Sequence, residues 1–240
     1  GLRINRAGDD AAGLAISEGL KADIRSLEQA SRNAADGISM IQTGEGAMDE
    51  ISNILVRMKE LAEQSATGTL GDTERGYLDA EYTALTAEID RIAAGTEFNG
   101  VMMLDGTGGS VDIQVGIDAT ANSQIAIDLG TAVDSATLTV ATGVDTAANA
   151  LTAMDEIDVA IAAVSANRAD FGAIQNRLES SIRNIGMTAE NLSAANSRIR
   201  DVDVAKETAS MTSYQILQQA GVSVLAQANM SSTLALSLLQ

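Results

Sequence analysis

Two rows of apolar residues spaced seven apart run through this sequence, and no proline interrupts either. The first row is Leu20, Leu27, Ala34, Ile41, Met48, Leu55 and Ala62, supported in parts by Ile24, Ile38, Ile51 and Met58. The second, more regular, is Ile157, Val164, Phe171, Leu178, Ile185, Leu192 and Ile199. A seven-residue repeat keeps one narrow stripe of a helix facing a partner helix along its length. Proline would remove a backbone donor and kink the rod. The pattern therefore asks for long helices packed along a seam.

Composition fits a narrow seam. The 240 residues contain only 3 Tyr and 2 Phe and no Trp, so Ala, Ile, Leu, Val and Met must fill the core. The first helix is expected over residues 11–65, roughly 80 Å at 1.5 Å per residue. Asp9 or Asp10 caps its start, and the two glycines of residues 66–72 end it. A shorter helix follows over 72–95, with Leu78, Leu85 and Ile92 on one row, Tyr82 and Ile89 beside it, and Gly95 as its stop. Residues 97–109 are turn-rich. Val111, Ile113 and Val115 alternate, as do Ile125, Ile127 and Leu129, and the two runs read as a β-hairpin. Residues 131–145 are ambiguous, with a third short strand as one reading. The expected class is mainly α: an elongated antiparallel long-helix bundle or coiled coil, a small β-hairpin region and a C-terminal helix. The expected partition is 1–105, 106–145, 146–203 and 204–240.

The last segment is anomalous. The chain carries a formal charge of −18, yet nothing after Glu207 is charged. Thr212, Gln215, Gln219, Ser223, Gln227 and Ser231 make a slanting polar stripe on an otherwise apolar helix. Gln218, Gln219, Gln227 and Asn229 argue against a membrane span, because unpaired amides are costly in hydrocarbon. A helix apolar nearly all round needs cover on most sides. Burial between subunits is the favoured reading over an intrachain core helix, with Tyr214, Leu217, Val224, Leu225, Leu234, Leu238 and Leu239 as the expected filament-core or chaperone contacts. By the same argument the tail is expected to be largely unfolded in a lone chain.

Catalysis has little to work with. Without His or Cys, the commonest bases, nucleophiles and zinc ligands are missing. The carboxylate pairs Asp9–Asp10, Asp155–Asp158 and Asp201–Asp203 read as caps or solvated faces. The stretch DVDVAK lacks the glycine and final glutamate of a calcium loop, and GTGG lacks the lysine of a phosphate cradle. Asn191 and Asn229 match the N-glycosylation pattern on expected helices. No catalytic, cofactor-binding or metal-ligating residue is expected. The acidic balance disfavours nucleic acid as a partner. In ILVRMKELAEQSAT, residues 54–67, Leu55, Met58 and Ala62 face the seam, while Lys59 and Glu63 are expected to pair four apart. The start at Gly1 reads as a fragment or a processed chain, with no signal peptide.

Several long stretches resemble bacterial flagellins: GLRINRAGDDAAGLAIS, ASRNAADGISMIQTGEGAMDEI, MKELAEQSATGT, EFNG, GAIQNRLESSI, NLSAANSRIRDVDVAKE and QILQQAGVSVLAQAN. They fall in the family's order at both conserved ends. The resemblance implies a rod of two long helices, a short helix and a hairpin, with the two chain ends paired in a filament core. It implies that the N-terminal strand of that pair precedes Leu2, and that the variable outer region is reduced to residues 106–144. It further implies a filament homopolymer outside the bacterium, secretion by the flagellar type III export apparatus with a cytoplasmic chaperone on the tail, and contact with cap and hook-junction proteins. Recognition by the vertebrate Toll-like receptor for flagellin is implied at Arg57, Leu61 and Glu81, with Val56 and Lys59 standing where the family usually has Gln and Arg. The hook–filament junction protein of the same family is the nearest alternative, and a non-flagellar coiled-coil adaptor a more distant one.

Overall fold

The structure, a computed structural model, describes residues 1–237, with side chains as far as Met230. Four helices carry the chain: α1 (Ala11–Ala66), α2 (Asp72–Gly95), α3 (Ala147–Arg200) and α4 (Val204–Ser237). Between α2 and α3 lie two small antiparallel sheets, β1 (Glu97–Phe98) with β2 (Val101–Met102), and β3 (Ser110–Gln114) with β4 (Gln124–Asp128). The mainly helical class read from the heptads holds. The chain divides into two compact units, a central one of residues 23–190 and a terminal one of residues 1–22 with 191–240.

In the central unit the seven-residue rows become the core. Ala34, Ile41, Met48, Leu55 and Ala62 of α1 are buried in one cluster with Ile157, Val164, Phe171 and Leu178 of α3. Charged flanks fix the antiparallel register of the two helices. Arg168 reaches Asp49 at 3.0 Å, and Lys59 pairs with Asp158. The expected Lys59–Glu63 pair is therefore corrected: the lysine crosses to α3, where its charge meets a carboxylate flanking the seam. One large ring enters this seam, Phe171, and it fits because Gly44 faces it. A Cβ on Gly44 would lie 2.8 Å from the Phe171 ring and 3.0 Å from the Met103 methyl.

Residues 106–144 form no separate outgrowth. Ile125, Ile127, Leu129, Val133, Leu138, Val140 and Val144 all join the same buried cluster. The β3–β4 register puts Val111 opposite Ile127 and Ile113 opposite Ile125, so one face is apolar and turns to the helices. The loop between them ends in a short 3-10 turn, Ala121–Ser123. Residues 131–145 form no strand; they fold into turns whose apolar side chains point inward. The turn-rich stretch after α2 holds a hairpin the sequence reading missed. Asn99 (φ 51°) and Gly100 (φ 80°) make a tight turn with both central residues left-handed, the geometry that matches strand twist.

The terminal unit ties the chain start to the end of α3. Leu2 bridges Asp201, the Arg3 N–H donates to the Arg200 carbonyl at 2.6 Å, and the Val202 N–H donates to the Gly1 carbonyl at 3.0 Å. Buried Ser17 donates to Asn196 at 2.7 Å, and Arg200 bonds Glu18 at 2.9 Å. Asp10 and Asp203 are helix caps, while Asp9 holds the turn before α1. Asp10 accepts the Gly13 N–H at 2.9 Å and starts α1. Asp9 accepts from Arg6 and Asn5, and these two backbone donors hold its carboxyl below the usual carboxylate range. Asp203 accepts from Ala205 and Lys206 and starts α4.

Two helix glycines two residues apart should respond oppositely to alanine. Gly46 is exposed with open space beside it, so Gly46→Ala gains up to ~1 kcal/mol of helix propensity. Gly44→Ala meets Phe171, and overpacking of about 1–3 kcal/mol outweighs that gain. Urea unfolding followed by circular dichroism should show the first midpoint rise and the second fall.

Candidate interaction surfaces

The residues singled out by sequence occupy two places. On the central unit, Arg57 of α1 reaches across to α2. Its guanidinium donates to Glu81 at 2.8 Å and 3.0 Å and to Glu60 at 2.9 Å. Bonds to Glu81 first, then Glu60, raise the arginine's pKa further above its ordinary value. The three side chains are about half exposed and form one charged platform. Leu61 lies one turn on but is only 1 % exposed. A direct-contact role does not fit that burial; Leu61 packs in the core beneath the platform. Arg57 and Glu81 are thus brought together at the surface, and Leu61 is not.

On the terminal unit, α4 stands as a regular helix with its side chains in solvent. Tyr214 is 71 % exposed, and Leu217, Val224 and Leu225 are each about two-thirds exposed. Met211, Ile216 and Val222 extend the same apolar surface. The expectation of an unfolded tail is corrected here: Val204–Ser237 is a continuous helix. Within α4 the interior backbone groups pair along the helix itself, and Asp203 accepts from the Ala205 and Lys206 N–H groups at its start. Leu234 lies beyond the described side chains, and Leu238 and Leu239 lie outside the described residues. No helix among the described residues is long and apolar enough to cross a membrane. No group of metal-ligating side chains occurs among them either.

A third feature escaped sequence reasoning. Arg75, 8 % exposed, donates to the carbonyls of Ser65 and Thr67 at 2.9 Å each and so closes the C-terminal end of α1 from the first turns of α2. Around it, polar groups from three helices hold residues 140–144. Ser65 donates to the Val144 carbonyl, and Asp79 accepts the Val144 N–H at 2.7 Å. Glu156 accepts from Thr142 at 2.8 Å, and Tyr82 donates to the Val140 carbonyl at 3.4 Å. Burial, with Glu156 and Asp79 nearby, pushes the Tyr82 phenol up to about 12. The only sequence signal for this cluster was a charged residue in the first turns of α2, which spacing alone does not distinguish from a solvated one.

A helix with exposed apolar side chains and no charge after Glu207, together with a heptad-built seam, describes a protein that works through surfaces. Comparison with known proteins gives the family. The bacterial flagellin N-terminal helical region matches residues 1–109, and the bacterial flagellin C-terminal helical region matches residues 154–239. The chain belongs to the bacterial flagellin family. It is 50 % identical to a flagellin of Halalkalibacterium halodurans, over 100 % of this chain and 88 % of that one. A flagellar filament 33 kDa core protein of Treponema phagedenis is 43 % identical over 100 % of this chain and 89 % of its own. Among solved structures, the crystal structure of Bacillus cereus flagellin covers 69 % of this chain and 94 % of its own, with 37 % identity and a TM-score of 0.59. As a flagellin, the chain is a structural subunit of the extracellular flagellar filament, a homopolymer, and not an enzyme. The two family matches leave out residues 110–153, and much of that interval is what this flagellin folds back onto its own helices.

The Tyr82 phenol gives this flagellin a stability profile at high pH. Its folded pKa, about 12, lies above the ordinary value of 10.0, so the folded state holds the proton more tightly. That contribution is complete below pH 10 and is lost as pH rises toward 12. It amounts to about 2 kcal/mol. Urea midpoints measured from pH 9 to pH 12 should fall, and Tyr82→Phe should flatten the fall.

Proposed function

We propose that this flagellin assembles by burying α4 among copies of itself. The observation that carries the reading is the apolar, charge-free surface of α4, exposed from Met211 to Met230. Isolated chains rarely keep a contiguous apolar surface of this size in water. Burying ~1,500 Å2 of apolar area per tail is worth tens of kcal/mol gross at ~25 cal/mol per Å2. Ordering and lost translational freedom offset much of it. The Gln and Ser side chains along the helix suit such a core, because uncharged polar groups hydrogen-bond between helices without the desolvation cost of a charge.

Before assembly the same surface needs an escort. A cytoplasmic chaperone that covers α4, export through the flagellar type III apparatus, and handover to cap and hook-junction proteins complete the reading. The Arg57–Glu81 platform is the proposed contact for the vertebrate Toll-like receptor for flagellin, with Leu61 supporting it from below. Arg57 bonds Glu81 and Glu60 in this chain although Val56 and Lys59 depart from the usual residues.

Two measurements test this. Deleting residues 206–240 should abolish sedimentable polymer while the circular dichroism melt of the central unit persists; polymer of normal length after the deletion would refute the assembly reading. Arg57→Ala should lower signalling in a receptor reporter cell about tenfold and leave the melting midpoint nearly unchanged, because an exposed pair contributes little to folding. An unaltered dose response would remove the platform from the receptor site.

A further inference from the structure

The net charge of −18 is not shared between the two compact units. The central unit, residues 23–190, has 27 Asp and Glu against 9 Lys and Arg, and so carries all of it. The terminal unit has 6 of each and is neutral. An even spread by length would place about −5 on the terminal unit. Most cations of the central unit are also engaged within it: Arg57 with Glu60 and Glu81, Lys59 with Asp158, Arg91 with Glu88, and Arg168 with Asp49. Exposed carboxylates such as Glu28, Glu50, Glu63 and Asp155 make no ion pair or hydrogen bond among the described residues.

These two halves of the charge distribution respond differently to salt. Burial of a neutral apolar surface is not weakened by added salt. Repulsion between like-charged bodies is, because the screening length falls from about 30 Å at 0.01 M to about 8 Å at 0.15 M. We propose that the chain separates adhesion from repulsion: the neutral terminal unit holds copies together, while the −18 central unit acts as an electrostatic brake that makes assembly conditional on ionic strength. In dilute medium neighbouring central units repel before they touch. In salt the brake is released and the same apolar contacts suffice. This rests on the assembly reading above and adds its control.

The test is the critical concentration for polymer formation by the full chain, measured by sedimentation from about 20 to 500 mM NaCl, where screening changes most. Repulsion scales with the square of the charge, so Glu28→Gln, Glu50→Gln, Glu63→Gln and Asp155→Asn together leave about 60 % of it. That variant should polymerise at a critical concentration at least about tenfold lower at low salt and converge with the unmodified chain at high salt. The opposite change, Gln42→Glu with Gln64→Glu at exposed positions of α1, should raise the low-salt value and steepen the salt dependence. Gln219→Glu on α4 should instead raise the critical concentration at every salt, because a buried charge is poorly screened. Polymer from either central-unit variant with the unmodified chain's salt dependence overturns the proposal. An unmodified chain that forms no polymer at any salt overturns the assembly reading itself.

Discussion

The apolar seam between α1 and α3 is the interaction on which the rest of the central unit depends. Its residues are small and aliphatic, and the single large ring, Phe171, enters only because Gly44 offers no side chain. Such a seam packs two helices closely but leaves little depth for a core. Residues 106–144 supply the missing depth, covering the helices with Ile127, Leu129, Val140 and Val144. The polar cluster around Arg75, Asp79 and Glu156 then locks that cover to all three helices. Fold and short intervening segment are thus one solution to the same problem, a narrow core made with few aromatics.

The terminal unit obeys different physics. Its hydrogen bonds, from Arg3, Ser17 and Arg200, set the chain start against the end of α3. Its last helix carries no charge after Glu207, and its apolar side chains from Met211 to Met230 are exposed. The distribution of charge differs in parallel: the central unit carries the net −18 and the terminal unit is neutral.

Much of this was legible in the sequence, for identifiable reasons. Seven-residue spacing names the residues that end up buried, from Ala34 to Ala62 and from Ile157 to Ile185, because a helix seam selects by period. Alternation names the β3–β4 face for the same kind of reason. The failures are of another kind. Lys59 finds Asp158, ninety-nine positions away, and not Glu63, because only the folded register decides which carboxylate is near. Arg75 looked like any first-turn charge and proved to be a buried cap. Leu61 lies beside the Arg57 platform in sequence but beneath it in space. Residues 131–145 hide their contribution because turns that bury side chains at irregular intervals, here Val133, Leu138, Val140 and Val144, have no period. The tail was read as unable to hold a helix alone and is a continuous helix: backbone hydrogen bonds are local, and side-chain burial is not.

The central claim is that α4 is exposed in the free subunit and enclosed by other copies in the filament. The chain has no cysteine, so Leu225→Cys introduces a single thiol at a position 65 % exposed. Its rate of modification by a water-soluble maleimide should be fast in the monomer and at least about a hundredfold slower in polymer, by analogy with the protection that buried groups gain on closure. A thiol that reacts as quickly in the polymer as in the monomer would contradict the account.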